Sequence, residues 1–213
     1  SIVYSMRIFS RFFKKGSCLE LGPGEGISTQ FLVQFFDDLT CVDGSQIFCT
    51  ELQQKFPKVK VICSLFETFF SKRRFDNVVL GRVLEHVISP LDLLLHIKEN
   101  LLAAEGVVFA SVPNAKSIHR QLAVIMGILE NEHSLNETDI KCGHRRVYDP
   151  QSFCKDFLDA GYTIIHFGGY WLKPVSNAQI RESWTPQMLN AAMVLGERYP
   201  DIAAEIYVVA TAK

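Results

Sequence analysis

Short apolar runs alternate with segments of helical periodicity over the first half of the chain. The runs predict strands at residues 17–21, 39–43, 58–64, 75–81 and 107–113, and helices between them at 27–36, 45–56 and 89–102. Parallel strands need a right-handed crossover with the length of a helix. The alternation therefore predicts an α/β, Rossmann-like, doubly wound fold, with a mostly parallel sheet and helices on both faces.

The regular alternation stops after residue 113. The pattern resumes with a helix at 150–160 and a strand at 162–167, followed by an irregular stretch at 172–185, a helix at 186–198 and a strand at 204–212. The sheet is thus predicted to have seven strands. Residues 114–150 form an insertion after strand five, which we expect to be a small helical lid or substrate segment.

The chain is expected to form one domain. Its 213 residues can close a single core, with residues 1–15 as an N-terminal helix. A net charge of -1 indicates neither a nucleic acid nor a membrane partner. The six cysteines form no C-x-x-C pair, and no apolar run reaches the ~20 residues of a membrane span, so a reduced, cytoplasmic protein is expected. The oligomeric state stays open, a homodimer included.

Three glycines at alternate positions follow the first predicted strand, in Glu20-Leu-Gly22-Pro-Gly24-Glu-Gly26. The dinucleotide fingerprint G-x-G-x-x-G would place its last glycine at position 27, where this chain has isoleucine. A phosphate-binding loop would need Gly-Lys-Ser or Gly-Lys-Thr, and Glu25 would place negative charge near the phosphates. The loop therefore counts against both NAD and nucleoside triphosphates.

The spacing acid-x-Gly-x-Gly-x-Gly resembles the first motif of the class I S-adenosylmethionine-dependent methyltransferases. The stretch FDNVVLGRVLEHVISPLDLL resembles the segment after strand four in small-molecule O-methyltransferases that act on quinones, sugars or natural products. The similarity covers about residues 16–113. A weaker similarity, to uncharacterised bacterial members, is found in CGHRRVYDPQSFCKDFLDAGY.

The resemblance implies S-adenosylmethionine as cofactor, with S-adenosylhomocysteine as product. Glu20 would orient the amino acid part, and Asp43 would accept hydrogen bonds from the ribose hydroxyls. Family members often carry Asp at the adenine position, where this chain has Leu65. The expected cofactor-binding residues are Glu20, Gly22, Pro23, Gly24, Gly26, Asp43, Gly44, Ser45, Ser64, Leu65, Phe66, Gly81 and Arg82.

His86, in the Glu-His-Val triplet, is the predicted catalytic base. Histidine titrates near neutral pH, and the family position lies near the transferable methyl. The alternative is that His86 caps or packs the loop after strand four. A metal role for Glu85 with His86, or for His133 with Cys142 and His144, is not assigned, because the second set has no usual ligand spacing.

The inserted segment carries the expected substrate residues, which are His119, His144, Arg145, Arg146 and Tyr148. His144 and an arginine could hold an anionic group, since guanidinium binds carboxylate or phosphate in a bidentate manner. The alternative is a solvated basic loop with Tyr148 packed beneath it.

The expected activity is methyl transfer to oxygen, or in second place to nitrogen, of a small metabolite, anionic metabolites included. Gly81-Arg82-Val83-Leu84 replaces the Pro-Pro-aromatic motif of base methylases, and the glutamate pair of protein arginine methyltransferases is missing. The alternatives left open are an inactive cofactor-binding partner or regulatory module, an oxidoreductase, and a methylase of RNA or protein.

Overall fold

One seven-stranded sheet organises the chain in the computed structural model, which describes residues 1–212. The strands, numbered β1 to β7, are Cys18–Leu21, Leu39–Asp43, Lys60–Cys63, Phe75–Gly81, Leu102–Pro113, Tyr162–Tyr170 and Glu205–Ala212. They lie in the order β3-β2-β1-β4-β5-β7-β6. All neighbours are parallel except β7, which pairs antiparallel with both β5 and β6. The predicted Rossmann-like fold is confirmed.

Helices cover both faces of this sheet. In chain order they are α1 Ile2–Phe9, α2 Ile27–Leu32, α3 Gln46–Lys55, α4 Pro90–His96, α5 Ile118–Ile125, α6 Glu137–Lys141, α7 Pro150–Asp159, α8 Asn177–Ser183 and α9 Pro186–Arg198. The helices α5 and α6 lie in the segment between β5 and α7, as the predicted insertion requires. None of the helices in the described residues has the length and hydropathy needed to cross a bilayer.

Two apolar clusters, one on each face, form the core. Strand side chains alternate between the faces, so Val78 and Leu80 of β4 join the cluster with α4 and α7, whereas Val79 joins the cluster with α1, α2 and α3. The two clusters leave the carboxyl ends of the parallel strands free, and the loops that carry the glycines and the Glu-His-Val triplet start there.

The N-terminal helix is shorter than predicted. It ends at Phe9 instead of near residue 15, because the chain turns through hydrogen bonds from Arg11 to Ile8 and from Phe12 to Phe9. This turn brings Lys14 to β4, where the buried amide of Asn77 pairs with its backbone. The tertiary contact thus overrides the helical spacing of the apolar residues.

Helix ends and strand ends also differ elsewhere from the sequence prediction. Helix α2 stops at Leu32, where three-residue turns replace helical hydrogen bonds. Strand β5 begins earlier, at Leu102, because that residue pairs with Phe75 of β4. The stretch at 172–185 is not irregular, since it contains α8, whose capping box joins Ser176 and Gln179.

Asn77→Ala should lower the free energy of unfolding by about 3 kcal/mol. The side chain is fully buried, and its amide exchanges hydrogen bonds of 2.9 Å with the backbone N–H and carbonyl of Lys14 and donates at 3.2 Å to the carbonyl of Ser17. Urea denaturation followed by circular dichroism measures the change. Gln34→Ala is the control, because this exposed side chain just after α2 bonds, within the described residues, only the carbonyl of Gln30, and the expected change is within about 0.5 kcal/mol. Equal stability of the two variants would contradict the assigned role of Asn77.

Candidate active site

The glycine-rich loop connects β1 to α2 with its backbone in left-handed conformations. The φ angles of Gly22, Gly24 and Gly26 are 70°, 52° and 80°, which residues with a Cβ rarely adopt. A Cβ on Gly22 would lie 2.9 Å from Val83, whereas one on Gly24 would meet nothing within 4 Å. The N–H of Gly26 donates to the carbonyl of Pro23 at 2.9 Å. The loop is therefore tightly packed at its base and open at its tip, where a ligand can approach the backbone.

Asp43, the last residue of β2, ties the glycine loop to the next loop. Its Oδ2 accepts a hydrogen bond from the N–H of Gly24 at 3.2 Å, and its Oδ1 accepts one from the N–H of Ser45 at 2.8 Å. Each carboxylate oxygen has two lone pairs. Both oxygens can thus accept a second hydrogen bond, which is what a vicinal diol offers.

Glu20 is buried beneath the glycine loop. Its Oε2 accepts hydrogen bonds from Thr29 at 2.6 Å and from the thiol of Cys41 at 3.2 Å, while its Oε1 has no partner. Burial raises the pKa of this carboxyl, although the hydrogen bonds from Ser28, Thr29 and Cys41 oppose the rise. A buried carboxylate oxygen without a partner favours a ligand that brings a donor or a positive charge.

Residues 64–66, after β3, lie against both glycine-bearing loops. The N–H of Ser64 donates to the last carbonyl of β2 at 3.0 Å. A Cβ on Gly44 would lie 3.4 Å from Leu65, and one on Gly22 would lie 3.5 Å from the ring of Phe66. The side chain of Leu65 is largely exposed. The structure thus brings an apolar surface beside Asp43 and the glycine loop.

Arg82 follows Gly81 at the end of β4 and has a φ angle of 66°, which is unusual for a residue with a side chain. Its Nε donates to Glu85 at 2.9 Å, and its Nη1 donates to Glu205 of β7 at 2.7 Å. The side chain that the sequence assigned to the cofactor therefore points away from the glycine loop and lines a cavity beside it.

His86 faces His144 in the same loop region. The ring centroids are 4.7 Å apart and nearly perpendicular, and the Nε2 of His86 lies 4.0 Å from Oε1 of Glu85. Burial lowers the pKa of His86, with Glu85 acting in the opposite direction. On the far side, Nδ1 of His144 lies 3.4 Å from Oδ1 of Asp139. Although burial opposes it, hydrogen bonding by His144 and others lowers the pKa of Asp139 to about 2. The rings of His86 and His144 thus lie between the carboxylates of Glu85 and Asp139.

Glu85, His86 and His144 also have the composition of a metal site, because their ligand atoms lie within 4.8 Å of one another. Glu85 is fully buried, however, and already accepts a hydrogen bond from Arg82. The guanidinium supplies to this carboxylate the positive charge that a metal ion would bring.

The side chains of the other predicted substrate residues form hydrogen bonds within the protein. Arg145 donates to the carbonyl of His86 at 3.0 Å, and Arg146 donates to the carbonyls of Leu84 and Ile88 at 3.3 and 2.9 Å. The buried hydroxyl of Tyr148 donates to Asp156 at 2.8 Å. These side chains hold the loop after β4 in place, and neither Arg145 nor Arg146 is among the residues that line the cavity.

A polar cavity of about 500 Å³ lies beside this loop, between β7, the inserted segment and the segment that leads into α8. It includes His119 and His144, which the sequence predicted for the substrate. It also includes residues that the sequence did not assign to a site, among them Arg120, Asp139, Lys173, Asn177 and Glu205. Glu205 had a detectable signal, since it is the one acidic residue in the apolar run that forms β7. Lys173 had none.

The geometry fits S-adenosylmethionine. The loop tip at Gly24 is open, Asp43 keeps acceptors for the ribose, and Glu20 has an unpartnered buried oxygen. The residues that would hold the cofactor come from the ends of β1, β2, β3 and β4, which meet at one edge of the sheet.

Comparison with known proteins agrees with this geometry. The family model for a methyltransferase domain matches residues 4–167. None of the curated proteins matches this sequence. Among solved structures, an S-adenosylmethionine-dependent methyltransferase from Mesorhizobium loti has a TM-score of 0.69 at 13% identity, over 99% of both chains.

Two further structures are similar. A possible histamine N-methyltransferase from Thermotoga maritima has a TM-score of 0.69 at 14% identity, over 100% of this chain and 89% of its own. The glycopeptide N-methyltransferase MtfA has a TM-score of 0.66 at 14% identity, over 100% of this chain and 91% of its own. At such identities the structures establish the fold alone. The fold is the one found in these S-adenosylmethionine-dependent methyltransferases. Because the family match spans most of the sequence, the chain belongs to the methyltransferase domain family.

Proposed function

We propose that the protein transfers a methyl group from S-adenosylmethionine to an oxygen atom of a small molecule bound in the cavity beside Arg82. The observation that carries this proposal is the continuity of the two sites. The end of β4 contributes Gly81 to the cofactor edge of the sheet, and the next residue, Arg82, lines the cavity. A volume of about 500 Å³ suits a metabolite rather than a polymer.

The cofactor supplies an electrophilic methyl group on a sulfonium, which an acceptor displaces directly. The residues of the chain contribute alignment, which requires the reacting atoms to be held about 3 to 3.5 Å apart. In this proposal Asp43 and the backbone of the glycine loop fix the cofactor from one side. The loop after β4, held by Arg145 and Arg146, forms the wall next to the acceptor.

We propose that His86 is the base that removes the proton from the acceptor. Its lowered pKa keeps the imidazole neutral at pH 7, so it can accept a proton, and the neighbouring Glu85 stabilises the imidazolium that forms. His144 packs edge-to-face against His86 and is itself oriented by Asp139. His144 is thereby a positioning residue for the base.

The neutral base favours oxygen as the methylated atom. A hydroxyl has to lose its proton as it attacks, whereas a neutral amine attacks through a free lone pair and can release its proton afterwards. Two of the structural neighbours are named as N-methyltransferases. Amines therefore belong in any acceptor screen.

The test is calorimetric titration with S-adenosylhomocysteine, with NAD and ATP as controls, followed by an acceptor screen in which mass spectrometry detects the methylated product. Binding of S-adenosylhomocysteine alone, with methylation of a hydroxyl compound, is the expected result. Binding without turnover across hydroxyl and amine acceptors would support the alternative, a cofactor-binding regulatory module. Methylation of amines alone would overturn the assignment to oxygen.

Asp43→Ala should weaken S-adenosylhomocysteine binding at least about tenfold, because two hydrogen bonds to a charged acceptor are lost together with the link between two loops. Calorimetry measures the dissociation constant. Asp37→Ala is the matched control, since Asp37 is an exposed residue just before β2 and should leave the affinity unchanged. An unchanged affinity in Asp43→Ala would exclude the ribose role.

His86→Ala should reduce kcat by about 10² or more, the usual contribution of a positioned base, and leave S-adenosylhomocysteine affinity unchanged. In the unaltered enzyme, a base with a lowered pKa predicts a kcat/KM that is level at neutral pH and falls only below the ordinary histidine value of 6.5. His133→Ala, an exposed histidine paired with Asp149, serves as control and should retain activity. Full turnover in His86→Ala would mean that alignment alone drives the reaction.

A further inference from the structure

Lys173 is a buried ammonium group without a carboxylate partner. Lys173 is 7% exposed, and the only hydrogen bond of its ammonium group within the described residues is donated to Oδ1 of Asn177 at 3.0 Å. It forms no ion pair in that part of the chain. Buried lysines are rare unless they are paired, and an ammonium group has three N–H donors. Two donors of Lys173 therefore have no partner among residues 1–212, and the side chain lines the cavity of about 500 Å³.

Two further buried polar atoms that have no partner within the described residues line the same cavity. The indole N–H of Trp171 is buried and unbonded, and its ring lies 4.9 Å from the ammonium nitrogen of Lys173. Nδ1 of His119 is also buried without a partner. Trp171 has a φ angle of 70°, a strained conformation for a bulky residue that costs on the order of 1–3 kcal/mol. Strain of this kind commonly occurs at binding sites, and here it holds the indole against Lys173.

The charges around the cavity are unbalanced in the positive direction. Four basic and two acidic side chains line it. Both acids have an ion pair, Glu205 with Arg82 at 2.7 Å and Asp139 with Arg120 at 3.0 Å, although Arg82 also pairs with Glu85 and Oε2 of Glu205 has no partner within the described residues. That leaves two basic side chains, Lys173 and Arg181, and both contact Asn177, through its side chain and its carbonyl respectively.

We propose that Lys173, supported by Trp171 and Arg181, binds an oxyanion of the methyl acceptor, so that the acceptor is a carboxylate or a phosphate ester. This inference rests on the proposed function, because it assigns a subsite of the same cavity. It differs from the expectation based on sequence, in which His144 and an arginine of the inserted segment would bind the anion. A bound oxyanion would form an ion pair with the ammonium group and accept hydrogen bonds from the N–H groups that have no partner in the described residues.

The protonation of Lys173 agrees with such a subsite. Burial is the main reason that its pKa falls to about 8, with Glu205 acting in the opposite direction. An oxyanion at the ammonium group favours the charged form and offsets the cost of burial. His144 lines the cavity too and contacts His86. An acceptor that is anchored at Lys173 can thus present its nucleophile to the base.

The test uses the two tryptophans as probes in the full chain. Indole N–H signals of the ¹⁵N-labelled protein, saturated with S-adenosylhomocysteine, are followed during titration with malonate, inorganic phosphate and the neutral analogue malonamide at constant ionic strength. Trp184→Phe assigns the two signals. We expect a saturable shift of the Trp171 signal with malonate or phosphate, and none with malonamide. Comparison of the dissociation constants of malonate and phosphate distinguishes a carboxylate acceptor from a phosphate ester.

Lys173→Met should weaken binding of the anion at least about tenfold, a loss of about 1.4 kcal/mol, whereas Lys173→Arg should retain anion binding. Lys141→Met is the matched control, because Lys141 is an exposed lysine on α6 paired with Glu137, and it should respond as the unaltered protein does. No saturable shift, an equal response in Lys173→Met, or an equal response to malonamide would overturn the proposal. Calorimetry with S-adenosylhomocysteine on the same samples separates this outcome from failure of the cofactor site.

Discussion

The site depends on one constraint, the change of direction that the chain makes after β1. The strands β2 and β3 extend the sheet to one side and β4 and β5 to the other, and each parallel connection is right-handed. The loops that leave β1 and β4 therefore diverge to opposite faces and open a crevice between them. Glu20 and Asp43 are far apart in sequence, yet both lie at this edge, on paired strands. The cofactor site is thus a consequence of strand order, and the glycines only allow the backbone to come close to it.

Arg82 forms the boundary between the cofactor edge and the cavity. Its guanidinium joins Glu85, in its own loop, to Glu205 on a strand two places away in the sheet. Removing one partner of a buried ion pair leaves an uncompensated charge, which typically costs 3–5 kcal/mol, so the three side chains stabilise each other's positions. The same contacts explain the left-handed backbone of Arg82, since the surrounding ion pairs compensate for its strain.

Local patterns in the sequence predicted the parts of the protein that depend on local chemistry. Apolar runs that alternate with helical segments predicted the strands, and the glycine spacing predicted the loop whose φ angles favour glycine. The neighbouring sequence does not determine which groups a long basic side chain contacts. Arg145 and Arg146 look like substrate ligands in a Gly-His-Arg segment, but carbonyl groups from the loop after β4 bind them. Lys173 carries no sequence signal, because its role depends on Trp171 and on a helix, α8, whose capping box was the only local sign.

The distribution of charge across the site bears on the proposed anionic acceptor through the charge of the sulfonium as well as through Lys173. Asp43, the buried Glu20 and the fully buried Glu85 belong to the strand ends and loops of the proposed cofactor edge, whereas Lys173 and Arg181, which form no ion pair within the described residues, line the cavity. A sulfonium is positively charged, so an unpaired cation close to it would oppose binding, while carboxylates favour it. An oxyanion of the acceptor at Lys173 would neutralise this cation and so reduce its repulsion of the sulfonium.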